Sequence, residues 1–565
     1  MLKRRANPID IGIGLLVIAL AVVLFKDSPH VYSLQQPSLN LAVRYLPFYA
    51  LASVARMIAA MILSLIIGLL AGYVAAVNRR WNLLILPAAD ILQSVPVLGF
   101  FPAAVFFFIR IFGSTWPAIG VELAAIFLII TSALWNLIFA VYESVTTIPN
   151  DLILVSQQFG LRGYNYWTRV VLPAVLPKLA YNSMISWANG WYFLIASEII
   201  VMGQINYRLP GLGSYLAQTM STGDYSHAIY GVLVLTAIIV FFHLVVWSPL
   251  NALSTRFLYD TADVQTQPRQ IQSRSRIRFY IARSRVLQGL WDGVLRPLIH
   301  SMVFFLSLIL ERQRTRRGSA ILAVLVVLMG VLLIWGVWSS APLLLNPSPE
   351  IHAVPLALFL SLLRLIAAYA LALVWALPLA VWVGRNEHIA RRLLPVLEVI
   401  ASIPATAFFP LIVLTVLRIG GTMNLASIIL VTTGMQWYLL FNLIAGIRGI
   451  PEDLYQISNS LGLSGMTRWK RLILPAIFPS LVTGSLTAIG GGWNALVLSE
   501  YVSAEGKLYY VNGIGALLAR ATYDTGNLQQ IVVSITAMVL FILIVNRLVW
   551  QPAYDLAQRR FALNY

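Results

Sequence analysis

The sequence predicts an all-α membrane protein with about twelve transmembrane helices in two parallel six-helix repeats. Three observations lead there. Of 565 residues, 59% are hydrophobic and only 11% charged, whereas water-soluble domains average roughly half apolar and about a quarter charged. The apolar residues come in runs of about twenty, the length that crosses the hydrocarbon core of a bilayer. Segments of the first half also recur in the second at a near-constant spacing.

The first half holds six apolar runs, at 8–25, 47–77, 83–110, 117–141, 176–202 and 227–250. The second holds six more, at 320–338, 354–383, 393–417, 424–445, 473–498 and 529–549. The longer ones must tilt or project beyond the bilayer. The first run follows a basic N-terminus, as a secretory leader would. Lys26, Asp27, Ser28 and Pro29 stand where small cleavage-site residues would be needed, so it reads as a retained span. These boundaries give a first transmembrane half over 1–250, a basic linker over 251–319 and a second transmembrane half over 320–565.

The net charge of +18 is explained by arginines and lysines flanking the spans, and no nucleic-acid partner is expected. Lys3, Arg4, Arg79, Arg80, Arg162, Arg391, Arg392, Arg468 and Arg471 fall on one side, and Lys26, Arg208, Lys507 and Arg520 on the other. The positive-inside rule then puts both termini in the cytoplasm. The linker carries Arg269, Arg274, Arg276, Arg283, Arg314 and Arg317. It suits either an interfacial helix on anionic membrane lipid or a tether that keeps both halves on one side. There is no cysteine, which excludes disulfides, thiolate metal sites and cysteine nucleophiles.

The repeat is explicit. Asp90, Ser94, Pro96, Pro102 and Arg110 match Glu398, Ser402, Pro404, Pro410 and Arg418 at an offset of 308. Further along, Pro149, Gly160, Trp167, Pro173, Trp191, Glu198, Gly211 and Gly213 match Pro451, Gly462, Trp469, Pro475, Trp493, Glu500, Gly513 and Gly515 at 302. An even number of spans per half keeps both copies in the same orientation, related by an axis along the membrane normal.

In each half a cytoplasmic segment precedes the fifth span: Ile148-Pro149-Asn-Asp151-Leu152 through Phe159-Gly160, and Ile450-Pro451-Glu-Asp453-Leu454 through Leu461-Gly462. Proline at the start, acids in the first turn and glycine at the end punctuate a short helix. Leu152, Val155 and Phe159 share one face, as do Leu454, Ile457 and Leu461. An apolar face outside the bilayer must be covered, by a partner's groove or by the chain's own helix ends. This pattern resembles the loop of binding-protein-dependent ABC importer permeases, in the nitrate, sulfonate and taurine branch, whose Trp…Glu element is similar to Trp191…Glu198 and Trp493…Glu500. The resemblance covers nearly all of both halves except the linker. It implies the type I importer fold, two ABC ATPase subunits or domains in the cytoplasm, an extracytoplasmic substrate-binding protein and a bacterial or archaeal cell membrane. It also implies coupling roles for Pro149, Asp151, Leu152, Val155, Ser156, Phe159 and Gly160, and for Pro451, Asp453, Leu454, Ile457, Ser458, Leu461 and Gly462. The family's Glu-Ala-Ala triplet is replaced by Leu154-Val155-Ser156 and Gln456-Ile457-Ser458, so the glutamate's ionic contact is lost in both copies.

No Gly-x4-Gly-Lys-Ser/Thr phosphate loop occurs. The chain is therefore expected to carry no cofactor and no catalytic residue, with ATP and magnesium bound by the partners. Candidates for the solute pathway are polar, aromatic or helix-breaking residues in the spans: Ser94, Pro96, Asn189, Trp191 and Glu198, and Ser402, Pro404, Trp493, Asn494 and Glu500. Each has an alternative in ordinary packing or helix-end bonding. No residue spacing suits a metal. Residues and resemblance together predict a fused importer permease for a small anion such as nitrate, a sulfonate, taurine or bicarbonate. The alternative is an ion- or proton-coupled secondary transporter, which would need a carboxylate relay at mid-membrane.

Overall fold

The computed structural model describes residues 39–94, 117–202, 205–247, 349–505, 507–525 and 527–561, with isolated positions at 107–108, 111–112, 250–251 and 254. The runs at 8–25 and 320–338, most of the linker, and Pro96 lie outside the described residues. Among those described, seven helices are long and apolar enough to cross a membrane, or eight if a bent pair is one span.

The described elements of the first half each recur in the second. The first contains α1 (Leu46–Val77), α2 (Arg79–Ser94), α3 (Pro117–Thr146), α4 (Asn150–Gln158), α5 (Leu172–Ser197), the hairpin β1–β2 (Ile199–Met202, Ile205–Arg208), α6 (Leu212–Thr222) and α7 (Tyr225–Phe242). The second contains α8 (Val354–Arg385), α9 (Glu387–Ser402), α10 (Phe409–Arg418), α11 (Met423–Arg448), α12 (Glu452–Ser460) and α13 (Leu474–Ser499). It closes with the hairpin β3–β4 (Tyr501–Ala504, Lys507–Tyr510), α14 (Ile514–Arg520), α15 (Leu528–Val545) and α16 (Gln551–Phe561).

Local chemistry accounts for the boundaries. Proline stands in the first turn of α1, α8 and α10, where its missing N–H costs little and its φ is already helical; Pro173 and Pro475 instead follow a π turn that leads into α5 and α13. Asn386 accepts from the N–H groups of His388 and Ile389 and starts α9. Pro404 separates α9 from a short turn leading into α10, and the chain bends there by 65°. The run at 393–417 is thus a bent helix pair rather than one straight helix.

Two features depart from the all-helical expectation. The run at 176–202 stops being helical at Ser197, and an antiparallel hairpin pairs Ile199 with Arg208 and Met202 with Ile205. Tyr501 and Tyr510 open the equivalent hairpin after α13. The β-branched Ile199, Ile200 and Val201 favour the strand.

Packing within each half is set by small residues. Ala60, Ser64, Gly68 and Gly72 recur every fourth position of α1, and Ala368, Ala372, Ala376 and Ala380 do so in α8 at the same offset of 308. All eight are buried. A methyl group on Gly72 would meet the Ile138 carbonyl at 2.6 Å and the Val141 side chain at 2.7 Å. In lipid, helix association relies on such close backbone approach, because apolar burial alone gains little there. The halves also interlock. Val121, Leu128, Phe193 and Leu209 belong to a core built mostly from the second half, while Ala407 enters the core of the first.

Candidate functional site

Three constellations stand out, two of them duplicated. The first is the pair α4 and α12. Pro149 and Pro451 precede them. At their ends the backbone turns left-handed at Gly160, with φ of 67°, and at Gly462, with φ of 65°. Leu161 N–H then reaches back to the Ser156 carbonyl at 2.9 Å, and Leu463 N–H to that of Ser458 at 2.9 Å. This is the Schellman closure, for which glycine is suited because it lacks a Cβ. Ser156 and Ser458 are buried against the body of the protein. Large apolar side chains nevertheless stay open: Phe159 is 79% exposed and Leu461 69%, with Val155 and Ile457 beside them. Leu152 and Leu454 are half-buried, and Asp151 and Asp453 are exposed in the first turns. The second copy carries an arginine brace. Arg468 donates to Asn459 Oδ1 at 2.6 Å and to the Leu463 carbonyl at 2.8 Å, whereas Tyr166 and Gln157 occupy the matching positions.

The second constellation is a buried charge cluster in each half. Arg56, within α1, holds both oxygens of Glu122 at 2.6 and 2.7 Å. It also donates to Glu198 Oε1 at 2.7 Å and to the Pro210 carbonyl at 3.0 Å. Ser53 donates to the same Glu198 oxygen at 2.6 Å and accepts from Leu212 N–H at 2.9 Å. Gly213 N–H donates to Glu198 Oε2 at 2.7 Å. In the second half Arg364 meets Glu500 Oε1 at 2.6 Å, Asn424 Oδ1 at 2.9 Å and the Asn512 carbonyl at 2.7 Å. Ser361 and Gly515 complete that copy at 2.7 and 2.8 Å from Glu500. Each glutamate therefore sits at the N-terminus of a helix, α6 or α14, where the helix dipole favours an anion. A methyl group on Gly211 or Gly513 would fall onto these carboxylates, which is why glycine stands at both positions.

Four of the pathway candidates are buried, two in these clusters and two in the hydrophobic cores. Glu198 and Glu500 are fully buried and consumed by arginine, serine and backbone partners. Trp191 and Trp493 are enclosed within the two cores; Trp191 meets Trp187 edge-on at 6.1 Å and Trp493 meets Phe541 at 5.9 Å. None presents a free surface to a solute in this conformation. Arg56, Arg364, Ser53, Ser361, Glu122 and Asn424 escaped sequence reasoning. The signal was present, since Arg56 and Arg364 are lone charges inside apolar runs at the repeat offset of 308.

The third constellation lies where the halves meet. Asn189 Oδ1 accepts from the Tyr438 hydroxyl at 2.9 Å, across the two repeats. Thr406 donates to the Tyr192 carbonyl at 3.4 Å. Ser402 ends α9 with its hydroxyl on the Glu398 carbonyl at 2.7 Å, and Pro404 follows in the break. Asn494 donates to the Gly490 carbonyl at 3.2 Å within its own helix. Ser94 ends α2.

With this geometry in view, the relationship to known proteins is direct. Residues 64–258 and 376–560 each match the binding-protein-dependent transport system inner membrane components. The chain belongs to that family, carrying its domain twice as a multi-pass membrane protein. The nitrate import permease protein NrtB of Leptolyngbya laminosa is 28% identical over 189 residues, 34% of this chain and 64% of that relative. The taurine transport system permease protein TauC of Escherichia coli is 26% identical over 184 residues, 32% of this chain and 63% of that relative. The bicarbonate transport system permease protein CmpB of Synechococcus elongatus is 26% identical over 239 residues, 38% of this chain and 82% of that relative. The chain thus spans slightly less than two thirds of the first two.

Proposed function

We propose that this chain is the fused permease of an ABC importer, a single polypeptide doing the work of a permease dimer. Its two halves, 1–250 and 320–565, flank the solute route, with both termini in the cytoplasm. Two separate ATPase subunits bind ATP and magnesium below, and a substrate-binding protein delivers solute from above. The carrying observation is the matched pair α4 and α12. Each opens on a proline, closes on a left-handed glycine, and leaves Phe159 or Leu461 exposed while Ser156 or Ser458 is buried. Such a helix seats in a partner's groove. When the ATPases close on nucleotide, α4 and α12 move toward each other and each half follows. The relatives' names favour a small anion as solute: nitrate, a sulfonate, taurine or bicarbonate.

The test is purification of the full chain with its cellular partners, followed by uptake in proteoliposomes. Importer function requires copurifying ATPase and strictly ATP-dependent uptake. Transport by the chain alone, without nucleotide, would instead establish the secondary-carrier reading. Joint replacement Gly160→Pro and Gly462→Pro, forbidden at positive φ, should leave hydrolysis running without uptake.

A further inference from the structure

We infer that Tyr192 and Asn189, on one face of α5, form the contact through which the solute's oxygen atoms pass between the halves. The inference rests on the importer reading above and adds the residues and the chemistry of contact. Residues three apart on a helix point the same way, and this face is the one the second half covers. Tyr438 reaches Asn189, Thr406 reaches the Tyr192 backbone, and the Tyr192 ring packs beside the core of the second half. The Asn189 carbonyl oxygen is already occupied by the Tyr438 hydroxyl, which leaves its amide N–H groups as the available function. The Tyr192 hydroxyl is buried with no hydrogen-bond partner, although an unmade bond of this kind costs about 1–3 kcal/mol.

Two donors therefore stand side by side on a seam that must open for transport. Both are uncharged; Arg56 and Arg364 are spent with the glutamates that follow α5 and α13 in the two buried clusters, and Glu398 on α9 stands 3.9 Å from His243. Neutral N–H and O–H donors suit an oxyanion whose charge is spread over several oxygens. They hold it without the trap that a fixed cation would create, as a route requires when solute must leave as readily as it enters. The repeat is unequal here. Asn189 and Tyr192 correspond to Gly491 and Asn494, so the tyrosine donor belongs to the first half alone.

The test uses the assembled complex with its binding protein in proteoliposomes, with radiolabelled taurine, nitrate and bicarbonate as probes. The variant is Tyr192→Phe, which keeps the ring and its packing. The wild-type complex must first show ATP-dependent uptake of one probe; failure there falls on the importer reading. Given that, the expected result is about a tenfold loss of anion moved per ATP hydrolysed, the scale of one hydrogen bond to a charged group. Binding-protein-stimulated hydrolysis should stay near wild type. An unchanged ratio of anion to ATP would overturn the inference, and so would a parallel fall in uptake and hydrolysis, which is what a packing role produces.

Discussion

The hydroxyl of Tyr225, at the start of the last described span of the first half, donates to Glu505 Oε1 of the second half at 2.6 Å. Glu505 forms the turn of the β3–β4 hairpin with a positive φ of 49°, and Arg418 braces the same oxygen at 3.2 Å. One carboxylate thus ties the halves together at the membrane face opposite α4 and α12. A conformation open to that face must release it.

Because the chain has no native cysteine, this tie can be fixed cleanly. A direct disulfide needs Cα atoms within about 7 Å, so the double variant Tyr225→Cys with Glu505→Cys is bridged with a reducible bis-thiol crosslinker: it should transport unbridged, stop when bridged, and recover with reductant. Uptake that survives complete crosslinking, read on a non-reducing gel, would show that these ends need not part.

The buried arginines predict an unequal response to mutation. Arg56→Ala strands Glu198 and Glu122, and Arg364→Ala strands Glu500. Breaking a buried pair from one side costs about 3–5 kcal/mol, so both variants should lose most of their folded yield or unfold at clearly lower temperature in detergent. Glu122→Gln should be milder than Glu198→Gln, because the Glu122 side chain keeps 25% of its exposure while Glu198 keeps none. Equal losses would mean that burial is not what sets the cost.

Glycine substitution separates close approach from mere presence in a span. Gly211→Ala and Gly513→Ala push a methyl into the buried carboxylates, whereas a methyl on Gly490 meets nothing within 4 Å. The first two should reduce expression or thermal stability, and Gly490→Ala should match wild type or gain slightly from its lower unfolded-state entropy.

Phe159→Asp and Leu461→Asp test the coupling face. Both side chains are open on the free chain, so folding should be untouched. Losing a buried apolar side chain at an interface removes about 1.5–3 kcal/mol, and adding a carboxylate there makes the loss larger. Copurification of the ATPase should fall at least tenfold for either variant. Retained ATPase with full uptake would place the motor contact elsewhere.

Most of the architecture was legible from the order of residues. The spans that fall on described residues, the duplicated halves, the Pro-to-Gly helices at 149–160 and 451–462 and the break at Pro404 all follow from local pattern. Each depends on hydrophobic length or on backbone freedom at single residues. The small-residue stripe in α1 and α8 was readable in the same way but emerges only once the offset of 308 is carried through both helices.

The sequence by itself determined that this protein crosses the membrane several times, in two copies of one plan, with a matched pair of short Pro-to-Gly helices. Only the tertiary structure decided what the charged and aromatic residues in those spans do. Glu198 and Glu500 look like pathway carboxylates in one dimension, yet they close on Arg56 and Arg364 from 142 and 136 positions away. Trp191 fills a core while Tyr192, its neighbour, meets the other half. The reason is physical: hydrophobic length and turn chemistry act between near neighbours in the chain, whereas the partner of a buried charge is set by which helices pack side by side.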